Sequence, residues 1–435
     1  MRPHIGRLAG SGDAFRALWL GQTVSALGTQ VSMVALPLIA VLGLGAGPFE
    51  VGVLAALETV PYLVLSLPAG AIVDRVDHRV TMIACDVGRA AALLAAAGAM
   101  ATGILTIGLL CVVALVVGSL SVFFTVAYTS YLPVILTGDR LVAGNQRLEL
   151  SESGARVAGP SIGGAILQVA GGAAAAALDG VSYLVSAIAI AASGRPAKTT
   201  SGEPTGEGFL RSMAAGLGHV MGDRILRDLA CSTAIFNLGS GMLLAVLVVF
   251  ATRDVGLDAA GFGLVYGLGN VGFVLGAGAV GALTSRLGVG RAFAWSTVAS
   301  AGAMILIALS GSGAGAVFLL AGRFMGAVAT PIYNVDALSL RQARVGGAIM
   351  GRVNGTFQFL EWGALPVGSL VGGVLGAGLG PRAALIAAAV CGVASAVWIA
   401  TSPARQLRSL TGQAAAGSAA PVDPADTRVQ PPLVA

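Results

Sequence analysis

Two carboxylic acids sit deep inside long apolar stretches. Glu58 follows Val53-Leu54-Ala55-Ala56-Leu57, and Glu361 lies between Phe359-Leu360 and Trp362-Gly363. Asp179, Asp336 and Arg323 occupy similar surroundings. A charge at bilayer depth costs about 2.5–3.5 kcal/mol on insertion scales, so each is a candidate for function. A carboxyl that is neutral when shut off from water and ionised when hydrated can carry a proton, and an ionised one can hold a cationic substrate. Bonding between helices is the plainer alternative for Glu58 and Glu361. Glu149, Glu152 and Arg156 form a second charged group, in which Glu152 and Arg156 are spaced i,i+4 for a structural pair on one helix face. Gln22, Ser25, Tyr128, Asn237, Asn334 and Gln358 are the polar side chains best placed by sequence to line a cavity between helices.

Other chemistry finds no support. Lys198, the only lysine, follows no glycine-rich phosphate loop. His4, His78 and His219 are scattered, and Cys85, Cys111, Cys231 and Cys391 have neither metal-site nor disulfide spacing. No HExxH and no nucleophile elbow occurs, so neither a cofactor nor an enzymatic activity is expected.

The candidates must be positioned by membrane-spanning elements. The chain is 56% hydrophobic and 10% charged, with a mean hydropathy of +0.87. About twelve apolar runs of roughly twenty residues or more suit a bilayer about 30 Å thick. They lack strict alternation, so helices rather than a barrel must satisfy the backbone. The expected helices cover 15–43, 49–73, 80–101, 104–136, 141–169, 174–193, 228–252, 257–285, 291–310, 314–340, 350–379 and 382–401. This divides the chain into a six-helix half (1–193), a linker with an amphipathic segment at 209–227 (194–227), a second six-helix half (228–401) and an Ala/Pro/Gly-rich tail expected to be disordered (402–435). The start is polar and runs into a full span, so no cleavable leader is expected.

Arginine crowds one set of loops, including Arg75, Arg79, Arg140, Arg286, Arg341 and Arg344, while Arg253 and Arg382 mark the other. The positive-inside rule makes the crowded side cytoplasmic, with both termini inside. The net charge of +5 is topological information under this reading, not a nucleic-acid surface. The single lysine among many arginines and the Ala/Gly/Val richness point to a bacterial inner membrane. The chain also repeats at an offset of about 210 residues, as two-halved transporters do. Gly70-Ala-Ile-Val-Asp74-Arg75 recurs as Gly281-Ala-Leu-Thr-Ser285-Arg286, and Gly163-Gly164 recurs as Gly372-Gly373.

Three segments carry a family resemblance. Gly70-Ala-Ile-Val-Asp74-Arg75-Val-Asp77-His78-Arg79 resembles the loop motif of the major facilitator superfamily, with Asp77 and His78 as departures. The resemblance implies a latch between the halves, made by Gly70, Asp74, Arg75 and Arg79, which Arg352 could join. A plain topogenic turn is the alternative. Gly159-Pro160-Ser161-Ile162-Gly163-Gly164 is similar to an element of the family's drug:proton antiporters, and implies a pliable seam between the halves, or simple packing. The run from Leu340 through Arg352, Glu361-Trp362 and Pro366 to Gly373, with Leu18-Trp19-Leu20-Gly21-Gln22, resembles the branch of enterobactin-type siderophore exporters and macrolide-efflux pumps.

The implied protein is an all-α polytopic membrane protein of the major facilitator fold, with two pseudo-symmetric six-helix bundles. It would be a monomer without cofactors, in contact with membrane lipid and protons, exporting a small amphipathic drug, antibiotic or siderophore by alternating access. A lysophospholipid or metabolite carrier is the nearer alternative. A polytopic enzyme or a non-transporting receptor is the more distant one.

Overall fold

The computed structural model describes residues 11–406 except 74, 137–138, 194–208, 312 and 346. Asp74, the first part of the linker (194–208) and nearly all of the tail therefore lie outside the described residues. Every regular element is helical. Helix α1 (Ser11–Leu38) runs into a π-helical turn (Ile39–Gly43). It is followed by α2 (Pro48–Val73), α3 (His78–Ala101), α4 (Ile107–Ile135) and α5 (Asp139–Ala192). After the linker come α6 (Phe209–Gly222), α7 (Arg224–Arg253), α8 (Ala259–Leu287) and α9 (Val289–Leu309). The last are α10 (Gly315–Arg344), α11 (Gly347–Leu379) and α12 (Pro381–Thr401).

Among the described residues eleven helices are long and apolar enough to cross a membrane. One of them, Ala143–Ala192, has the length of two, and it bends at Gly171, whose φ of 81° only glycine adopts freely. That bend supplies the twelfth crossing. Short polar side chains set the helix starts. Thr106 accepts from the Leu109 N–H at 3.3 Å, and Asp258 from the Gly261 N–H at 2.8 Å. Asp77, a departure from the loop motif, caps α3 by accepting from the Arg79 N–H at 2.9 Å. One boundary differs from expectation. Asp223 accepts from the Ile225 N–H at 2.8 Å, so the amphipathic helix stops at Gly222 and α7 begins at Arg224 rather than at Asp228.

In the first bundle α5 packs on α1 and α3, and α4 on α2 and α3. In the second, α11 and α12 pack on α7, and α10 on α8 and α9. The bundles meet where α2 packs on α11 and α7, and where α5 packs on α8. Their buried cores are not equally shared. At the arginine-poor end a single core joins both bundles, for example Val31, Leu54, Val246 and Phe262. At the arginine-rich end the cores are separate. One holds Phe15, Met82 and Tyr131 of the first bundle, and the other Leu226, Phe293 and Phe357 of the second. Among the described residues the bundles thus share a buried core at one end only.

Candidate functional site

Glu58 of α2 is exposed, part-way along a membrane-spanning helix that packs on α11. One turn along, Tyr62 stacks on Trp362 of α11 with ring centroids 4.6 Å apart. Glu361 and Gln358 are likewise exposed on α11. Among the described residues no hydrogen bond or ion pair joins Glu58 to Glu361.

Asp179 lies in the second arm of α5, 1% exposed, and accepts from the Ser182 hydroxyl at 3.1 Å. Close to it is a pair that sequence reasoning passed over. Arg89 and Asp86 of α3 form a buried ion pair. The Arg89 guanidinium is sandwiched between Phe124 at 4.3 Å and Tyr183 at 4.1 Å, and it donates to Ser121 at 3.3 Å. Gln22 is tied to Ser186 at 2.8 Å, inside the same bundle. Tyr128 stacks on Phe124 at 6.0 Å.

The Gly-Pro element of α5 serves two interfaces. A methyl group added at Gly159 would strike Gln30, and one at Gly163 would come within 2.9 Å of the Val31 carbonyl. Both glycines therefore face α1 of their own bundle, unlike the expectation that the whole element forms the seam. Gly164 does face the other bundle: its added methyl would strike the Ala259 carbonyl and lie 3.0 Å from Gly263 Cα. The Pro160 carbonyl also abuts Gly263, and Ser161 donates to the Gly263 carbonyl at 3.3 Å. The second bundle repeats this division. Gly368 and Gly372 meet α7, and Gly373 meets Pro48, Phe49 and Gly52 of α2.

Pro160 has no N–H, so the Arg156 carbonyl one turn earlier loses its helical donor. Asn270 of α8, 2% exposed, donates to that carbonyl at 2.6 Å. The Asn270 carbonyl oxygen accepts from Arg323 of α10 at 2.9 Å. The Arg323 guanidinium also lies 3.9 Å from the Tyr266 ring centre, on the wall of a cavity of about 240 Å³. The Arg156 side chain pairs with Glu152 at 2.5 Å, as its spacing predicts, and reaches Glu149 at 3.8 Å.

The remaining candidates are dispersed. Asp336 is 1% exposed and accepts from Thr284 at 3.1 Å. Asn237 donates to the Thr233 carbonyl at 3.1 Å, and Asn334 is exposed. In the loop motif, Arg75 is exposed, and a methyl at Gly70 would meet nothing within 4 Å. Arg79 donates to the Ile190 carbonyl at 3.0 Å and to that of Ala191, within its own bundle. The Arg352 carbonyl accepts from Thr356 at 3.0 Å and sits beside Gly216 of α6. Among the described residues no His/Cys/Asp/Glu group could hold a metal ion.

The family described as "transmembrane secretion effector" matches residues 10–428. The chain belongs to this family of major facilitator transporters. Solved structures of major facilitator transporters share the fold. A bacterial homologue of the iron transporter ferroportin in its inward-facing state is 16% identical with a TM-score of 0.70, over 89% of this chain and 98% of that one. The nucleoside transporter NupG is 13% identical with a TM-score of 0.69, over 89% and 97%. A bacterial homologue of the human lysosomal transporter Spinster, inward-facing and unoccupied, is 14% identical with a TM-score of 0.67, over 91% and 97%. At these identities the likeness is one of fold alone. A search of the curated proteins finds no match at the same standard. The chain is thus a multi-pass membrane transporter of the major facilitator type.

Proposed function

We propose that this transporter exports a small amphipathic molecule by alternating access in exchange for protons. The observation that carries the reading is the unequal closure of the bundles: one shared core at the arginine-poor end, two separate cores at the other, and accessible carboxylates between. On this reading the arginine-rich face is cytoplasmic and both termini are inside. The protein is caught open to the cytoplasm, and residues 1–193 and 228–401 move as two bodies. Glu58 and Glu361 are the carboxyls that meet water in turn as access alternates. The loop of Gly70, Asp74, Arg75 and Arg79, with Arg352, would engage only when the protein faces outward. The placement of Arg79 on its own bundle in the present state is compatible with that. Inward movement of one proton charge across 100 mV supplies about 2.3 kcal/mol before any pH gradient.

The test uses the purified full chain in liposomes with an acidic interior, offered ethidium as a cationic probe and 2-naphthoate as an anionic one. Accumulation that follows the pH gradient supports proton exchange. Movement of a probe downhill with no response to the gradient rejects coupling and makes the protein a facilitator.

A further inference from the structure

Among the described residues Arg323 is a cation without an anion beside it. It stands eight residues inside α10, about 12 Å from that helix's arginine-poor end at 1.5 Å per residue. Its partners are an amide oxygen of Asn270 and the face of Tyr266, and its Nε has no hydrogen-bond partner among the described residues. No carboxylate of the described residues lies within 4 Å of it. Arg89, the comparable cation of the first bundle, has Asp86. A charge held at this depth with only dipoles around it is costly, and an anion brought to it recovers that cost.

The space beside Arg323 has the complementary chemistry. The cavity of about 240 Å³ is walled by Phe236, Tyr266, Phe273, Met304 and Leu365, with Arg323 as the one charged group. A guanidinium offers planar N–H donors to a carboxylate, and of those on Arg323 the Asn270 oxygen engages Nη2. Aromatic and thioether walls suit a flat apolar body. The volume is below that of a typical drug-sized site, so the ligand, or the part of it held here, is small.

The same guanidinium holds a contact between the bundles. Asn270 has a donor end on the Arg156 carbonyl and an acceptor end on Arg323. Only one orientation of the amide serves both. An anion that takes the guanidinium removes the group that fixes this orientation.

We propose that this cavity is an anion subsite of the transport pathway, taking a small amphipathic carboxylate on Arg323, and that its occupation loosens the α5–α8 seam through Asn270. The proposal rests on the transport reading and adds to it a substrate class and a route from substrate to gate.

The test begins with binding to the full chain in lipid nanodiscs. 2-Naphthoate is compared with its neutral isostere 2-naphthamide and the cation 2-naphthylmethylammonium. Naphthoate should bind at least tenfold more tightly than either. Arg323→Gln should weaken naphthoate at least tenfold and leave naphthamide unchanged. Ser240→Phe, which narrows the same cavity without touching the charge, covers the case in which Arg323→Gln does not fold. It should weaken naphthoate too.

The seam is read by spin labels at Thr102→Cys and Asp254→Cys, both exposed at the arginine-poor end, with the four native cysteines replaced by serine. Naphthoate should shift the distance distribution to longer values, and Asn270→Ala should do so without ligand. Equal binding of the amide or the cation, or wild-type naphthoate affinity in both Arg323→Gln and Ser240→Phe, overturns the subsite. An unchanged label distance at saturating naphthoate overturns the link to the seam. If naphthoate fails to bind while liposomes still move ethidium, this inference falls and the transport reading stands. If naphthoate binds as expected and neither probe is moved, the anion site stands as a binding site, while the transport reading and the site's place in a transport pathway fall.

Discussion

Asn270 of one bundle takes the place of a missing helix bond in the other. Its amide lies 2.6 Å from the carbonyl of Arg156, the residue whose helical donor would have been position 160, where the chain has proline. The missing donor and its replacement come from different halves of the molecule. The bond therefore exists only while the α5–α8 seam is closed.

Asn270→Ala should destabilise the closed seam by about 1–3 kcal/mol, the cost of leaving a buried polar group unpaired. Pro160→Ala restores a local N–H to the Arg156 carbonyl, so the same substitution in that background should cost about 1 kcal/mol less. A double-mutant cycle on thermal or denaturant stability in detergent measures this coupling. Strict additivity would show that the carbonyl has other partners.

Gly159→Leu and Gly164→Leu should fail in different ways. The first strikes Gln30 within a bundle, and should lower yield and stability by about 1–3 kcal/mol through overpacking. The second strikes Ala259 and Gly263 across the seam, so a folded protein should accumulate that cannot close the arginine-poor end. Size-exclusion profiles and uptake into liposomes separate the two. Normal uptake by folded Gly164→Leu would remove the seam from the mechanism.

Asp86→Asn leaves the Arg89 guanidinium buried without its anion, and should cost about 3–5 kcal/mol. Replacing both, as Asp86→Leu with Arg89→Met, should recover most of that loss. Melting curves of the single and double variants decide it. A double variant no better than the single would mean that the pair is held for something other than charge balance.

Glu58→Gln and Glu361→Gln keep size and hydrogen bonding but remove titration. The variant that strikes the proton carrier should lose gradient-driven accumulation and keep downhill exchange. If both still concentrate the probe, the proton travels elsewhere, with Asp179 and Asp336 the next carboxyls to replace.

Much of this architecture was legible in the residues. Continuous apolar runs, alternate-loop arginines and the paired Gly-Gly steps give the helices and the two-bundle fold, because the bilayer leaves few other solutions. The Glu152–Arg156 pair followed from helical spacing alone. Arg89 and Asp86 were within reach, since charges inside the third apolar run fall under the same insertion cost that singled out Glu58. The amphipathic helix was expected to run on to Arg227 because its hydrophobic pattern does not mark an end. Asp223 marks it, by capping. Asn270 left little signal. One amide in a glycine-rich helix is common, and its meaning depends on a proline about a hundred positions away that only the packing brings opposite. Which face of α5 each glycine serves was also hidden, because Gly163 and Gly164 are adjacent in sequence and point to different bundles.

At its closest approach the seam between α5 and α8 is made of glycine, alanine, serine and backbone carbonyls, with Ser161 and Asn270 bonding across it. Glycine and alanine have no rotamers to freeze when surfaces meet. Parting and rejoining there carries little side-chain ordering entropy, unlike the separation of a core of leucines. A single amide bond such as that of Asn270 is therefore a large share of what side chains contribute to holding this seam closed.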